Sequence, residues 1–98
     1  MPIARLIYVT IAPNDAQEAE QIWKRDCAPL MIQQEGCLSE ELLKSTDAPG
    51  EYISYSEWTD QAAVDRFHGS EAHHHIEAHT GKLKVTQPPV TKHYQVAG

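Results

Sequence analysis

The sequence predicts an α+β fold in which strands and helices follow the order β-α-β-β-α-β. Three stretches alternate with the period of two that strands have, and a fourth carries a weaker strand signal. Apolar residues at the three- and four-residue spacing of helices lie between them. The chain has 98 residues, 41% of them hydrophobic, which predicts a single domain over residues 1–98 with one core.

The first strand is predicted over residues 3–11, where two faces alternate. One face holds Ile3, Arg5, Ile7, Val9 and Ile11. The other face holds Ala4, Leu6, Tyr8 and Thr10. Pro13 should end the strand. The helices should cover one of these two faces and leave the other uncovered. The pattern does not decide which face lines the interior.

A helix should follow, capped by Asn14 or Asp15, with an amide or acid three residues further on as in a capping box. Its apolar stripe at helical spacing comprises Ala19, Ile22, Trp23, Leu30 and Met31. Pro29 lacks a backbone donor, so it should kink the helix near Asp26. Gly36 is the expected end of this helical region.

The second and third strands are predicted as an antiparallel hairpin. Residues 37–46 carry the weaker signal, residues 47–50 have the composition of a turn, and residues 51–58 alternate again. Thr59 or Asp60 should then cap a short helix.

The last third of the chain should contain a broken helical layer and a final strand. Gly69 should end the short helix, Ser70 should cap the next one, and Gly81 should terminate that helix after about Thr80. Residues 90–96 alternate as the fourth strand. This order is that of the ferredoxin-like βαββαβ sandwich, a four-stranded antiparallel sheet with helices on one face.

Charge and composition exclude several classes of partner. A formal net charge of -6 and a pI near 5.4 argue against nucleic acid and anionic membranes, which both select basic surfaces. No apolar run approaches the roughly 20 residues of a membrane span. Met1 leads straight into a strand pattern without a secretion signal, so a cytoplasmic location is expected. Cys27 and Cys37 lack zinc-site spacing and are expected to be buried, reduced thiols.

The last helix carries the candidate chemistry. With Ala72 and Ile76 defining its inward face, His75 and His79 border that face, because residues four apart lie on the same side of a helix. The other polar residues should point sideways or outward: His73, His74 and Glu77.

Three interpretations of the pair His75 and His79 remain open. The side chains can bond to backbone or water at a helix–sheet boundary, or serve a ligand cavity as acid, base or donor. They can also bind a metal ion together with a further ligand such as His68. Trp58, at a strand end, fills the core or forms a cavity wall.

The pattern Tyr52–Trp58, followed by Thr59-Asp60, an Ala-rich helical turn and a His-bearing helix, resembles the antibiotic biosynthesis monooxygenase domain. Pro29 in the first helix and the step Gln34-Glu35-Gly36-Cys37 are similar to its quinol monooxygenase branch. The resemblance covers essentially the whole chain.

The resemblance implies a homodimer that joins two sheets into a dimeric α/β barrel, with a cavity between sheet and helices in each subunit. It implies oxidation of a phenolic or quinol-type aromatic substrate by O2 without flavin, haem or metal. The deprotonated substrate reduces O2 itself, and the protein supplies a dry pocket, a proton acceptor and donors for the anion.

The resemblance also implies particular site residues. Trp58 matches the family's strand-end Trp, whereas Ser54, Val64 and Phe67 stand where relatives have Asn, Tyr and often His. Substrate contacts are therefore expected at Trp58, Phe67, Ser54, Tyr8 and Val64. His75 and His79 are the expected catalytic residues.

Two other functions share the fold. A related branch binds and degrades haem with an Asn on the first strand, a Trp and a His. Here the first strand has no Asn, and Phe67 stands at the position of the Trp. Glu77 is the best match to the position of the haem-ligand His, and His75 and His79 lie two residues before and after it. The remaining alternative is a non-catalytic dimer that binds a small ligand or a partner protein, which a filled interior would favour.

Overall fold

A computed structural model shows a four-stranded antiparallel sheet in the strand order β2-β3-β1-β4, with the helices on one face. The strands are β1 (Ile3–Thr10), β2 (Cys37–Lys44), β3 (Glu51–Trp58) and β4 (Val90–Gln95). The structure describes residues 1–80 and 85–98, with the backbone only at residues 75 and 77–80. The predicted ferredoxin-like order is confirmed, and the predicted terminator Gly81 lies outside the described residues.

The first helical region is continuous but changes its winding. A 3-10 turn (Pro13–Asp15) leads into α1 (Ala16–Ile22), a π turn (Trp23–Cys27) and α2 (Ala28–Ile32). Pro29 has no N–H to donate to the carbonyl four residues earlier, and the wider π turn accommodates that loss. Near Asp26, where the sequence predicts a kink, the helical region changes its winding to a π turn.

The predicted cap is confirmed in position only. Asp15 is the N-cap residue of α1, but its side chain makes no capping hydrogen bond, and the preceding 3-10 turn has none at its start either. The helical region instead begins with Pro13 as its first residue, where a missing N–H costs nothing because that donor has no partner inside a helix.

The second helical layer consists of α3 (Gln61–His68) and α4 (Glu71–Thr80). Asp60 caps α3 by accepting a 2.8 Å hydrogen bond from the backbone N–H of Ala63. Ser70 caps α4 by accepting a 3.2 Å bond from the N–H of His73. These side-chain acceptors satisfy donors that a helix start leaves open, so both caps follow from local sequence as predicted.

Two turns have a glycine in the left-handed region: Gly36 between α2 and β2, and Gly50 between β2 and β3. Gly36 has φ 85° and accepts a 2.8 Å hydrogen bond from the N–H of Thr59. Gly50 has φ 90° and accepts a 2.8 Å bond from the N–H of Ile11. Side chains disfavour this backbone conformation, so glycine fits both turns.

The strand register determines which residues face the helices. In β1 the odd-numbered residues face the helices, since Arg5, Ile7 and Val9 line the space beneath them, as does Ile11 just after the strand. Their partners across β3 are even-numbered: Trp58 opposite Ile3, Ser56 opposite Arg5, Ser54 opposite Ile7 and Tyr52 opposite Val9. The question that the alternation left open for β1 is thus settled.

The opposite, outer face of the sheet carries apolar residues with no helix over them. Tyr8, Leu43, Val90 and Tyr94 are 36%, 41%, 50% and 50% exposed in the single chain. The register brings Leu43, Ile53, Tyr8 and Val90 side by side in one row.

Among the described residues, no helix has the length and apolar character needed to cross a membrane.

Two apolar clusters hold the helices on the sheet. The larger one lies beneath α3 and α4 and comprises Cys27, Met31, Trp58, Ala63, Val64, Phe67 and Ile76. The smaller one joins α1 to the other end of β1 and β3 and comprises Ile11, Ala19 and Tyr52. A cavity extends along the sheet between these two clusters.

Candidate active-site cavity

A cavity of about 420 Å³ separates the sheet from the helices. Most of its wall is aliphatic or aromatic, and Ile7, Val9, Leu42 and Met31 belong to it. Polar side chains reach it at few places: Arg5, Glu20, Tyr52, Ser54 and His73. A cavity with a largely apolar wall and a few fixed polar groups is the usual form of a small-molecule site.

Arg5 provides a buried cation in the cavity wall. Its side chain is 6% exposed, and its guanidinium carbon lies 5.8 Å from the centre of the Phe67 ring. The face of an aromatic ring attracts a cation, so this contact helps to hold Arg5 beneath α3. A guanidinium has five N–H donors, and it can therefore bind the oxygen of a ligand in addition to protein groups.

The carboxyl group of Glu40, on β2, lies beside the cavity. Glu40 accepts a 3.3 Å hydrogen bond from the Ser54 hydroxyl through Oε1, and Ser54 lines the cavity. Glu40 Oε2 is buried and has no hydrogen-bond partner among the described residues. Burial raises the pKa of Glu40 to about 8, although the hydrogen bond from Ser54 and the charge of Arg5 act in the opposite direction.

A second polar cluster lies where the cavity meets α1. Glu20 Oε2 accepts a 2.6 Å hydrogen bond from the Tyr52 hydroxyl and a 2.9 Å bond from Lys44 Nζ. These bonds connect α1 to β3 and β2. The hydrogen bond from Tyr52, followed by that from Lys44, lowers the pKa of Glu20, so this carboxylate is ionised at neutral pH.

The structure divides the predicted substrate contacts into three groups. Ser54 and Phe67 line the cavity. Trp58 and Val64 belong to the buried core, where Trp58 is 0% exposed and donates a 2.9 Å hydrogen bond from Nε1 to Ser56 Oγ. Tyr8 lies on the outer face of the sheet, because even-numbered β1 residues point away from the helices. Neither Trp58 nor Tyr8 lines this cavity.

The predicted catalytic pair His75 and His79 lies outside the residues whose side chains are described, as does Glu77. His74 is exposed, as predicted. His73 is placed differently from the prediction: it lines the cavity, with its ring 5.2 Å from that of Phe67 and 4.4 Å from that of His68. The prediction for His73 considered only the packing of α4 on the sheet. In the structure α4 also packs against α3 and the π turn, so the side of α4 that carries His73 faces inward.

Sequence reasoning missed two charged residues at the cavity. Arg5 shares a strand face with Ile3, Ile7 and other apolar residues, and Glu40 shares one with Leu42. A charged side chain at a position that the alternation assigns to the interior is the signal that would have identified both.

The described cysteine and histidine side chains show no metal-site geometry. Among the described side chains, no group of three His, Cys, Asp or Glu residues is arranged to hold a metal ion. Cys27 is buried and Cys37 is half-buried, and both are free thiols. Burial raises the pKa of each to about 11, so neither is a nucleophile at neutral pH.

Comparison with protein families gives a match over most of the chain. The family model described as antibiotic biosynthesis monooxygenase matches residues 2–79. No curated protein matches the chain closely enough in sequence to count as a relative.

Solved structures share the fold at low sequence identity. A Bordetella bronchiseptica protein described as an antibiotic biosynthesis monooxygenase has a TM-score of 0.85 at 21% identity, covering 98% of this chain and 97% of that one. Rv0793 from Mycobacterium tuberculosis has a TM-score of 0.81 at 21% identity, covering 100% and 97%. SnoaB from Streptomyces nogalater, described as a cofactor-independent oxygenase, has a TM-score of 0.81 at 20% identity, covering 99% and 94%.

Proposed function

The chain belongs to the antibiotic biosynthesis monooxygenase family, and on that premise we propose that it oxidises a phenolic or quinol-type aromatic compound with O2 and without a cofactor. The observation that carries the proposal is the apolar cavity of about 420 Å³ with the cation of Arg5 in its wall. An aromatic ring suits the apolar wall, and a ring oxygen that has lost its proton suits the guanidinium. SnoaB, which shares the fold, is described as needing no cofactor.

The proposed reaction needs little chemistry from the protein. A phenol that loses its hydroxyl proton becomes an electron-rich anion that reduces O2 directly. One oxygen atom becomes a carbonyl on the ring, and the other leaves as water with the displaced ring hydrogen and the hydroxyl hydrogen. The protein excludes bulk water from this exchange and stabilises the anion with donors fixed in advance.

Proton removal requires an acceptor at the cavity. The sequence predicts His75 and His79 for this role, and they stay candidates in the proposal. Among the described side chains, His73 lines the cavity and Glu40 adjoins it through Ser54. A general base in any of these positions contributes about 10²–10⁴-fold to the rate.

We further propose that two copies of the chain pair through the outer face of the sheet. Exposed apolar surface of this kind marks an interface, and a dimer of identical faces closes on itself. Tyr8 and Leu43 would then be interface residues, which explains apolar side chains on an uncovered sheet face. A cytoplasmic location fits this proposal, because Cys27 and Cys37 are free thiols.

Oxygen uptake by metal-free protein tests the activity. Chelator-treated protein would be mixed with hydroxynaphthalenes and hydroquinones in an oxygen electrode, and the variant Ile7→Trp would place a large side chain at the cavity wall to fill the space. Ile32→Trp is the matched control, since Ile32 is 47% exposed and lies outside the cavity wall. We expect uptake by the wild type and the control, and a loss of about tenfold or more in Ile7→Trp. Uptake that requires added haem or metal, or equal rates in all three proteins, would contradict the proposal.

A further inference from the structure

Glu40 is a carboxylic acid held in an interior position on a strand. Its Oε2 atom is buried without a hydrogen-bond partner among the described residues, while Oε1 accepts a hydrogen bond from Ser54. Leaving a buried polar atom unpaired costs roughly 1–3 kcal/mol. A structural role alone does not account for that cost, because Leu at this position would pack against the neighbouring apolar groups without it.

The hydroxyl of Ser54 connects this carboxyl to the cavity. Ser54 lies opposite Ile7 on β1, and both residues line the cavity wall. Glu40 lies opposite Ser56, which in turn lies opposite Arg5. A proton acceptor, a hydroxyl and a cation thus occupy adjacent rows of the same sheet face.

We infer that Glu40 takes the proton from the bound phenol through the Ser54 hydroxyl, and that Arg5 holds the oxyanion so formed. The inference rests on the proposed function and adds its proton acceptor. It assigns roles to three residues on strands, none of which the sequence pattern singled out as a base.

The proton transfer balances within these groups. The phenol O–H bond breaks as its proton passes to Ser54 Oγ, and the original Ser54 proton passes to Glu40 Oε1. Ser54 is unchanged, Glu40 becomes a neutral acid, and the substrate becomes an anion beside Arg5. The same path returns the proton to the oxygen atom that leaves as water, so Glu40 is a carboxylate again after each turnover.

The acidity of Glu40 suits this exchange. Its pKa of about 8 gives the carboxylate a greater affinity for protons than an exposed glutamate has, yet allows it to ionise near neutral pH. Glu20, the acid that lines the far part of the cavity, has a lowered pKa and is engaged by Tyr52 and Lys44, which makes it a poor base. The titratable and charged groups around Glu40 come from three elements: Arg5 on β1, Cys27 in the π turn, and Cys37 and Glu41 on β2, with Asp26 acting on Cys27.

A spectroscopic experiment follows the proton without turnover. Protein with ¹³C-labelled glutamate carboxyls would be titrated with 1-naphthol at about pH 8.5 with O2 excluded, and Glu40 would be assigned by comparison with Glu40→Gln. We expect binding of 1-naphthol to move the Glu40 carbon to its protonated position in the wild type and not in Ser54→Ala. Binding with no change at Glu40 overturns the relay and leaves the proposed function standing. Absence of 1-naphthol binding overturns both.

Kinetics supply a second readout. In the wild type, kcat/KM should rise with pH to a plateau above about 8, because only the carboxylate accepts the proton. Glu40→Gln should lower kcat/KM by about 10²–10⁴-fold and remove this rise. The matched control is Glu35→Gln, which changes an exposed glutamate outside the cavity wall, and it should keep both rate and profile. An unchanged pH profile in folded Glu40→Gln would refute the inference.

Discussion

The ring of Phe67 lies 4.9 Å from the indole of Trp58, and of the two only Phe67 lines the cavity. Trp58 is fully buried and fixed by its hydrogen bond to Ser56, so it supports Phe67 from the core. The two aromatic residues that the sequence assigns to one site therefore have different roles.

The pair Trp58 and Phe67 yields the first prediction. Trp58→Phe should lower the free energy of unfolding by about 1–3 kcal/mol, because it leaves Ser56 without its donor and a gap beside Phe67. It should change the affinity for an aromatic ligand less than Phe67→Leu does, since Phe67 forms the wall. Denaturant unfolding and ligand titration on the same three proteins compare the two quantities. A weaker ligand affinity in Trp58→Phe than in Phe67→Leu would argue against this division of roles.

Local patterns predict the fold because their causes are local. The alternation of β1 and β3, the Asp60 and Ser70 caps and the irregularity at Pro29 each depend on a few neighbouring residues. The position of His73 depends on how α4 packs against α3 and the π turn, which no spacing within α4 encodes.

The cavity itself follows from contacts between distant segments. Glu40 and Ser54 come together through strand pairing, and Arg5 reaches Phe67 only once α3 lies over the sheet. Alternation assigns these positions to a face, but it does not show that the face encloses an open space. That space results from the positions of whole helices.

Glu40 makes stability depend on pH. Its pKa in the folded chain, about 8, exceeds its usual value of 4.5. The favourable contribution of the neutral acid is therefore complete below about pH 4.5 and is lost as the pH rises through 8. Between pH 5 and pH 9 the wild type should lose roughly 2–4 kcal/mol more than Glu40→Gln, as urea unfolding at each pH would show. Parallel curves for the two proteins would mean that Glu40 ionises like an exposed acid.

Glu20 should have the opposite dependence. Its pKa is lowered in the folded chain, mainly by the hydrogen bond from Tyr52, so its contribution is present above its usual pKa and lost as the pH falls through the folded value. Tyr52→Phe should destabilise the chain by about 1 kcal/mol at neutral pH, and by less in acid. Tyr55→Phe is the matched control, because Tyr55 donates an equally short 2.6 Å bond but only to Glu57 on its own strand. Equal losses in both variants would show that the link between α1 and the sheet adds nothing.

The turn at Gly36 should not accept a side chain. With φ at 85°, a Cβ at Gly36 would also lie 2.5 Å from the Cβ of Ala63. Gly36→Ala should cost about 1–3 kcal/mol, measured as the free energy of unfolding. Gly69→Ala should be close to neutral, since Gly69 has negative φ and its nearest neighbour to a Cβ is the Asp65 carbonyl at 4.0 Å. A similar loss of unfolding free energy in both variants would show that the conformation and close contact at Gly36 are not its cause.

If two chains pair through the outer face of the sheet, a charged side chain on that face should prevent their association. Leu43→Glu should convert the dimer to a monomer at micromolar concentration, because a buried unpaired carboxylate opposes association. Ile32→Glu, a change at a similarly exposed residue on the helical side, should leave the mass unchanged. Sedimentation velocity would report both masses. A wild-type chain that sediments as a monomer would exclude the pairing.

The most direct test of the central claim is isotopic. Metal-free protein would be given a hydroxynaphthalene substrate under ¹⁸O2, and the product would be analysed by mass spectrometry. If the cavity carries out cofactor-independent monooxygenation, the product should contain one ¹⁸O atom, and the water released in the reaction should contain the other. The variant Ile7→Trp should no longer form the product. A product without ¹⁸O, or one formed equally by the filled-cavity variant, would contradict the claim.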